Sequence, residues 1–586
     1  MVTLYGCVSS LSLEHGRTQG ATPGYSEVAE LIKRRQWNSP QAIDSTQINY
    51  DERIVSVPVK VKKIGSAQGE GIKSLAAKLW LIDQAKYTVD IAYYIFKRDI
   101  VAHSILSRLC AAIKRGVDVR LIVDSLGSIH PTHTALKSLY SCADEAGYMY
   151  GTDGQTISAQ RAGMQVVVFN ALIHPEARIR SIFRIIKSLF SRKDTDLMTK
   201  WLNRRSHDKI LLIDGQFSDR AIAMIGGRNI SVDYYEIDKN GRTDPNAYKD
   251  LEVLIKSGDA SLPAQHQIGK ILASYFDKIF NHNSNKKLFR NPARQLIGTY
   301  TRKVRKITRK EVKLLGNEQL ALAIEDMPRF FGEGFFQADA QLVHELGNLT
   351  DRGAVLRALQ NEAANPNSIL GNIRKIIRES DRYIKAVSPY LFLAKYKQVA
   401  DDGTATIYDE GEILKRWLAQ NTKEGKKRIL EIITNSVLTT DNIPAQVMID
   451  MEMAPELLLD PEELNTWRSF PRKILLRDRV SDEAWKRLAE NEQLIVWQTG
   501  RLDAVEFGGT QSYGKLHVKL AIVDDIAFVG TTNVDHRSRL LNNEMGFIIR
   551  NSSEFVEQLI KEEFDTLRAN SYKWGSTEWL SLRQKL

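Results

Sequence analysis

Only three cysteines, Cys7, Cys110 and Cys142, occur in 586 residues. So few cannot build a disulfide framework, and no Cys-x-x-Cys spacing suggests zinc. No run of 18 apolar residues is present, so no transmembrane helix is expected. The His-Glu-x-x-His pattern and the acidic spacing of an EF-hand loop are both missing, and neither a metal nor another cofactor is predicted. The sequence also lacks an aromatic-and-basic stacking module, so no nucleic-acid partner is expected. Wholesale disorder is excluded, because 43% hydrophobic and 26% charged residues lie near the globular average. The length exceeds one ordinary core and suits two large lobes.

What is present in surplus is positive charge, +11 in formal net terms. That favours acidic partners: nucleic acid, anionic lipid or a phosphorylated small molecule. Cys110 sits in an apolar helical stretch, Ile105–Ile113, and is expected in the core. Leu4-Tyr5-Gly6-Cys7 is similar to a bacterial lipobox, yet too few residues precede it for a working signal. Three readings of Cys7 stay open: a truncated lipoprotein start, a cysteine acylated in a host cytosol, or an ordinary cysteine in a loose terminus.

One pattern occurs twice. Ala85–Phe96 and Ser380–Phe392 both alternate apolar and polar residues and end in aromatics, as strands do. Each follows a helical pattern and precedes a helix and a further strand. Later, Ser206–Asp214 (SHDKILLID) reappears as Leu516–Asp524 (LHVKLAIVD). Gly226-Gly227-Arg228-Asn229 and Gly530-Thr531-Thr532-Asn533 then mark matching turns. Strands alternating with helices in both halves imply an α/β protein of two lobes, each on a mostly buried sheet.

Each copy of the core motif reads His-x-Lys-x4-Asp. Strand side chains at i and i+2 share a face, so His207 projects with Lys209 and His517 with Lys519. The Asp lies at an odd offset. Asp214 and Asp524 are therefore expected to hold the strand or turn rather than touch substrate. One match is expected by chance in roughly a few hundredths of chains of this composition; two in matched contexts are far rarer.

These paired motifs resemble those of the phospholipase D superfamily. The resemblance is nearer to bacterial phospholipase D-like cardiolipin synthases, through Leu202–His207, Ile225–Ile230 and Asp535–Phe547. It implies two pseudo-symmetric lobes, each a mixed β-sheet flanked by helices, sharing one active site. It further implies that one imidazole attacks phosphorus while the other protonates the leaving alcohol and then activates water or an acceptor alcohol. By that resemblance His207 is the nucleophile and His517 the acid. Lys209, Lys519, Asn229 and Asn533 bind the non-bridging oxygens. Glu544, with Asp250 as its counterpart in the first half, orients the histidines. The implied reaction cleaves the phosphatidyl–headgroup bond, passing the phosphatidyl group to water or to an alcohol such as phosphatidylglycerol. The same superfamily implies two alternatives, a nuclease and a non-catalytic membrane-binding relative.

The expected organisation is an irregular N-terminal arm (1–50), a first lobe (51–282), a linker with helical insertion (283–371) and a second lobe (372–586). Residues 437–490 read as a further, mostly helical insertion. Between Arg178 and Lys193, Ile179, Ile182, Phe183, Ile186, Leu189 and Phe190 form one helical face, with Arg184, Lys187 and other basic residues around it. Such a helix suits the surface of an anionic membrane, with Phe183, Phe190, Arg184 and Lys187 in contact; a core-packing helix with a solvated basic edge has the same pattern. The predicted partners are thus an anionic phospholipid membrane and a phospholipid substrate, and the predicted location is peripheral to a membrane, with Cys7 as a candidate lipid anchor. No oligomeric state is read from the sequence.

Overall fold

Sixteen strands form one continuous mixed sheet in the computed structural model, which describes residues 23–37, 53–128, 133–170, 204–349, 365–399, 405–470 and 476–585. In chain order the first eight are β1 (Val57–Ile64), β2 (Thr88–Tyr93), β3 (Asp118–Asp124), β4 (Met164–Phe169), β5 (Lys209–Ile213), β6 (Ile222–Gly226), β7 (Glu252–Ser257) and β8 (Asn285–Lys287). The second eight are β9 (Phe336–His344), β10 (Tyr383–Val387), β11 (Ile429–Thr434), β12 (Leu494–Thr499), β13 (Leu520–Val523), β14 (Ile526–Gly530), β15 (Met545–Arg550) and β16 (Ser571–Lys573). Their spatial order is β8-β4-β3-β2-β5-β6-β7-β1-β9-β15-β14-β13-β10-β11-β12-β16. The second half of that order repeats the first in mirror sequence, so each strand of one lobe has its match eight strands later. The lobes join where β1 and β9 pair antiparallel, with Val57 opposite Ala340 and Val59 opposite Ala338.

Helices cover both faces. Helices α1 (Pro23–Arg35), α2 (Glu70–Gln84) and α3 (Ile100–Lys114) lie in the first lobe. Next come α4 (Ile268–Phe280) and α5 (Thr299–Leu315), then α6 (Ile369–Glu379) and α7 (Glu410–Leu418) in the second lobe. Helix α3 starts where the Asp99 side chain accepts from the Ala102 N–H, and α6 where the Ser368 hydroxyl accepts from Gly371; both are ordinary N-caps. A central core lies under the seam. There Val57, Val59, Ala340 and Leu342 meet Phe276 of α4 and Phe555 and Phe564 near the C-terminus. A second core fills the space between α2, α3 and β2. In the second lobe, Trp467, Trp485, Trp574 and Trp579 pack together.

Three expectations need correction. The arm 1–50 is not wholly irregular, because it contains α1. That helix is held by Arg35, which is buried and bonds Asp118 at 2.6 Å and Asp90 at 2.9 Å. The segment 283–371 is not only linker and helical insertion. It contributes β8 and β9, and β9 is the second lobe's seam strand, so that lobe starts on the sheet before residue 372. Cys110 is buried as expected but not free: it forms a disulfide with Cys142, which tethers α3 to the short helix Leu139–Ala143. Cys7 and the stretch carrying Phe183, Arg184, Lys187 and Phe190 lie outside the described residues. Among the described residues, no helix is long and apolar enough to cross a membrane.

Candidate active site

Lys209 opens β5 and Lys519 immediately precedes β13, and each His precedes its Lys by two positions in the chain. Two short parallel pairings cross between the lobes and fix these segments. Arg205–Ser206 pairs with Asn542–Asn543, and Tyr248–Lys249 pairs with Lys515–Leu516. They continue as single backbone bonds: the His207 N–H donates to Asn543 O at 2.9 Å, and the His517 N–H to Lys249 O at 2.8 Å.

The residue after each of those carbonyls is a buried carboxylate, and the partnership crosses the lobes. Glu544 Oε2 lies 2.9 Å from Nδ1 of His207. Asp250 Oδ2 lies 2.6 Å from Nδ1 of His517. An ionised carboxylate only accepts, so opposite ionised Asp250 or Glu544 each Nδ1 carries hydrogen and each Nε2 is left for the cleft. Lys209 donates to the His207 carbonyl at 2.8 Å, and Lys519 to the His517 carbonyl. All four motif side chains and both carboxylates are buried.

The two carboxylates are housed differently. A Cβ on Gly227 would stand 2.1 Å from Asp250 Oδ1, so glycine at this turn makes the room for that carboxylate. At the matching place in the second lobe Thr531 donates its hydroxyl to Glu544 Oε2 at 2.6 Å, and Ser538 donates to Oε1 at 2.7 Å. Burial pushes Glu544 up to about 7. Burial alone would also raise Asp250, but the charges of His517 and Lys519 outweigh it and hold Asp250 below the ordinary carboxylate range. Burial, with Lys209, Lys519 and His517 close by, keeps the His207 imidazole well below its usual value. Burial and Lys519, which lies 2.9 Å from Nδ1, also lower His517, while Asp250 opposes them. Burial brings Lys209 down to about 7 and Lys519 to about 8.

Asn229 is buried beside the first motif; its side-chain oxygen accepts from the Ile95 N–H at 3.0 Å and its amide donates to the Tyr234 hydroxyl at 2.9 Å. The side-chain oxygen of Asn533 is buried without a hydrogen-bond partner. Asp214 and Asp524 lie in the turns after β5 and β13, at φ of 50° and 51°. Asp214 accepts from the N–H groups of Lys86, Tyr87 and Thr88, and Asp524 from those of Asp381, Arg382 and Tyr383. Each aspartate ties the end of its motif strand to the start of the neighbouring one, far from the imidazoles.

Sequence reasoning missed several neighbours. Tyr94 stands edge-on to His207 with ring centroids 4.9 Å apart, and Tyr234 and Tyr248 stand edge-on to His517 at 5.4 and 5.5 Å. Asp208, between His207 and Lys209, points to the other side of the strand. It accepts from the Tyr275 hydroxyl at 3.0 Å and from the Asn543 amide at 2.6 Å, and burial raises it to about 7. The only sequence signal for Asp208 was its alternation against the two motif residues. Among the described residues, no group of three His, Cys, Asp or Glu side chains is set to hold a metal ion.

The family model described as "Cardiolipin synthase, PLD-like domain" matches residues 79–241 and 431–568, which include both motifs, both asparagines and Glu544. The chain belongs to that family. It is a phospholipase D-type enzyme. Cardiolipin synthase C of Escherichia coli K12 is 23% identical over 549 residues, covering 88% of each chain. Cardiolipin synthase 1 of Bacillus anthracis is 23% identical over 200 residues, 32% of this chain and 30% of its own. Among solved structures, phosphatidylserine synthase of Haemophilus influenzae Rd KW20 aligns over 92% of this chain and 96% of its own, at 13% identity and a TM-score of 0.48. The phospholipase D family member Nuc of Salmonella typhimurium aligns over 40% of this chain and 99% of its own, at 14% identity and a TM-score of 0.23.

Proposed function

We propose that the protein transfers the phosphatidyl group of a glycerophospholipid from its headgroup alcohol to water or to a second alcohol, through a phosphohistidine. The observation that carries this reading is the reciprocal arrangement of two His-Lys pairs, each imidazole backed by the other lobe's carboxylate. The match to the cardiolipin synthase family supports a phospholipid as the phosphodiester.

Nε2 of His207 attacks phosphorus, a bond to nitrogen forms, and the phosphorus–oxygen bond to the headgroup breaks. His517 gives its proton to the departing oxygen. It then takes the proton of an incoming hydroxyl, whose oxygen attacks phosphorus and releases His207. The surroundings of the two rings support this division of labour. Burial and Lys519 lower His517, and ionised Asp250 opposes them there, which supports His517 as the acid. Burial and the charges of Lys209 and Lys519 keep His207 neutral and able to attack. Lys209, Lys519 and Asn533 line the space in which the non-bridging oxygens develop charge, and their donors need no reorganisation there. Asn229 braces this wall through Ile95 and Tyr234. The surplus of positive charge draws the protein to an anionic membrane surface.

The deciding experiment incubates the protein with labelled phosphatidylglycerol and, separately, with single-stranded DNA. Phosphatidic acid, or cardiolipin when phosphatidylglycerol also serves as acceptor, is the expected product. Quenching of the reaction in detergent at mildly alkaline pH, which spares the acid-labile phosphorus–nitrogen bond, traps label on wild-type protein but not on His207→Ala. Cleavage of DNA with inert lipid would replace this reading with a nuclease.

A further inference from the structure

The two lobes cover equivalent sheet faces unequally. All six residues of β2 are buried, and α2 and α3 fill the space above them with Leu75, Leu79, Ile105 and Leu109. The matching strand β10 is only partly buried; Ala386 remains half-buried at its centre. Helices α6 and α7 span this face but do not reach down to fill it. They roof a cavity of about 170 Å³.

The floor of this cavity comes from Ala386, Ile432 and Ala521, and its roof from Ile373 and Ile377 of α6 and Leu414 of α7. Most of the wall is hydrocarbon, and ordered water in such a space would find few of the polar partners it needs. One end is polar. There the wall is formed by Lys519 and Asn533, the two residues of the second motif region that face the reacting phosphate. The unpartnered side-chain oxygen of Asn533 belongs to that end. The space thus borders Lys519 and Asn533 of the second motif region and continues into apolar surroundings. A nucleic acid or a small soluble phosphodiester has no group to fill it. A chain of methylenes attached two or three bonds beyond the phosphate does.

We propose that this cavity of the second lobe receives one acyl chain of the phosphatidyl group while its phosphate lies between His207 and His517. The proposal rests on the phosphatidyl reading above and adds to it a site for chain-length selection. It assigns the asymmetry between the lobes to substrate binding: among the described residues, the first lobe has a filled core at the equivalent place and the second has room.

The test uses the full-length protein and dibutyryl, dihexanoyl and dioctanoyl phosphatidylglycerol below their micellar concentrations. For wild type, KM is expected to fall about two- to fourfold for each methylene that enters the cavity, following the transfer of a CH2 group out of water. Ala386→Trp on the floor and Ile373→Trp on the roof each fill part of the space and are expected to flatten that dependence to less than twofold per methylene. Thermal melting identifies a variant that does not fold. A measurement free of variants accompanies them: a phosphatidylglycerol with a photoreactive acyl terminus should label wild-type α6 or α7, read by peptide mass spectrometry. Chain-length-independent KM in wild type, or labelling confined to other elements, overturns the proposal while leaving phosphatidyl transfer intact. Turnover of bis(p-nitrophenyl) phosphate with none of any phosphatidylglycerol removes the phosphatidyl reading and this proposal together.

Discussion

Asp250 belongs to the first lobe and His517 to the second, and their side chains meet at 2.6 Å. The reverse pair, Glu544 with His207, meets at 2.9 Å. Each lobe therefore supplies one reactive ring and the carboxylate that aims the other ring.

This crossing predicts which variants behave alike. Asp250→Asn should share the defect of His517→Ala, and Glu544→Gln that of His207→Ala. Loss of a general acid matters little when the leaving group departs easily. On phosphatidylglycerol, Asp250→Asn should lower kcat about 10²–10⁴-fold, the usual range for acid–base catalysis. On a p-nitrophenyl ester its defect in kcat/KM, which stops at release of the phenol, should shrink to about tenfold or less, whereas Glu544→Gln should be as poor on both substrates. Parallel steady-state kinetics on the two esters checks this; equal recovery of both variants on the aryl ester contradicts the assigned roles.

The pH profile has a defined shape. His207 acts as the neutral ring, and its pKa lies well below the usual histidine value, so activity should persist below pH 6.5. Lys209 and Lys519, at about 7 and about 8, lose their charge as pH rises through that interval. The logarithm of kcat/KM, which reports the free enzyme, should begin to fall as His517, the acid, loses its proton and should steepen between pH 7 and 8, well before an exposed lysine would titrate. A flat profile to pH 9.5 would mean that the lysines stay charged in the free enzyme.

Asp214 and Asp524 should reveal themselves through stability. Each accepts three backbone N–H groups and adopts a positive φ. An orphaned buried donor costs about 1–3 kcal/mol. Asp214→Ala should lower unfolding free energy by about 3 kcal/mol or more, measured by urea denaturation, with Asp214→Asn intermediate. A variant of wild-type stability but without activity would instead assign Asp214 to the chemistry.

Much of the site was legible because strand geometry is local: two residues apart means one face, so His207 with Lys209 and His517 with Lys519 followed from spacing alone. The crossed partnership was not, since Asp250 and His517 are brought together by sheet pairing between lobes rather than by proximity in sequence. The seam strand β9 escaped notice although Phe336, Ala338, Ala340 and Leu342 alternate as they should. Its pattern is short and follows a long helical run. Arg35 of α1 was invisible for another reason, since a single basic residue gives no sign that it will be buried against Asp90 and Asp118.

Cys110 and Cys142 are 32 positions apart, a spacing that says nothing about which helices pack. Closing a loop of this size stabilises a fold by about 2–4 kcal/mol. The double variant Cys110→Ser, Cys142→Ser should lose that amount in denaturant titration, and wild-type peptides digested without reductant should contain the linked pair. Two free thiols after denaturation without reductant would contradict it.

The pairing of β1 with β9 makes the two halves parts of one object rather than modules. Val57 and Val59 lie against Ala340 and Ala338 across a seam with hydrophobic residues beneath it. A gene fragment encoding either half would carry an imidazole with nothing to aim it and an exposed edge strand seeking a mate. Two such fragments produced in the same cell have one way to satisfy both needs, which is to rejoin along that edge.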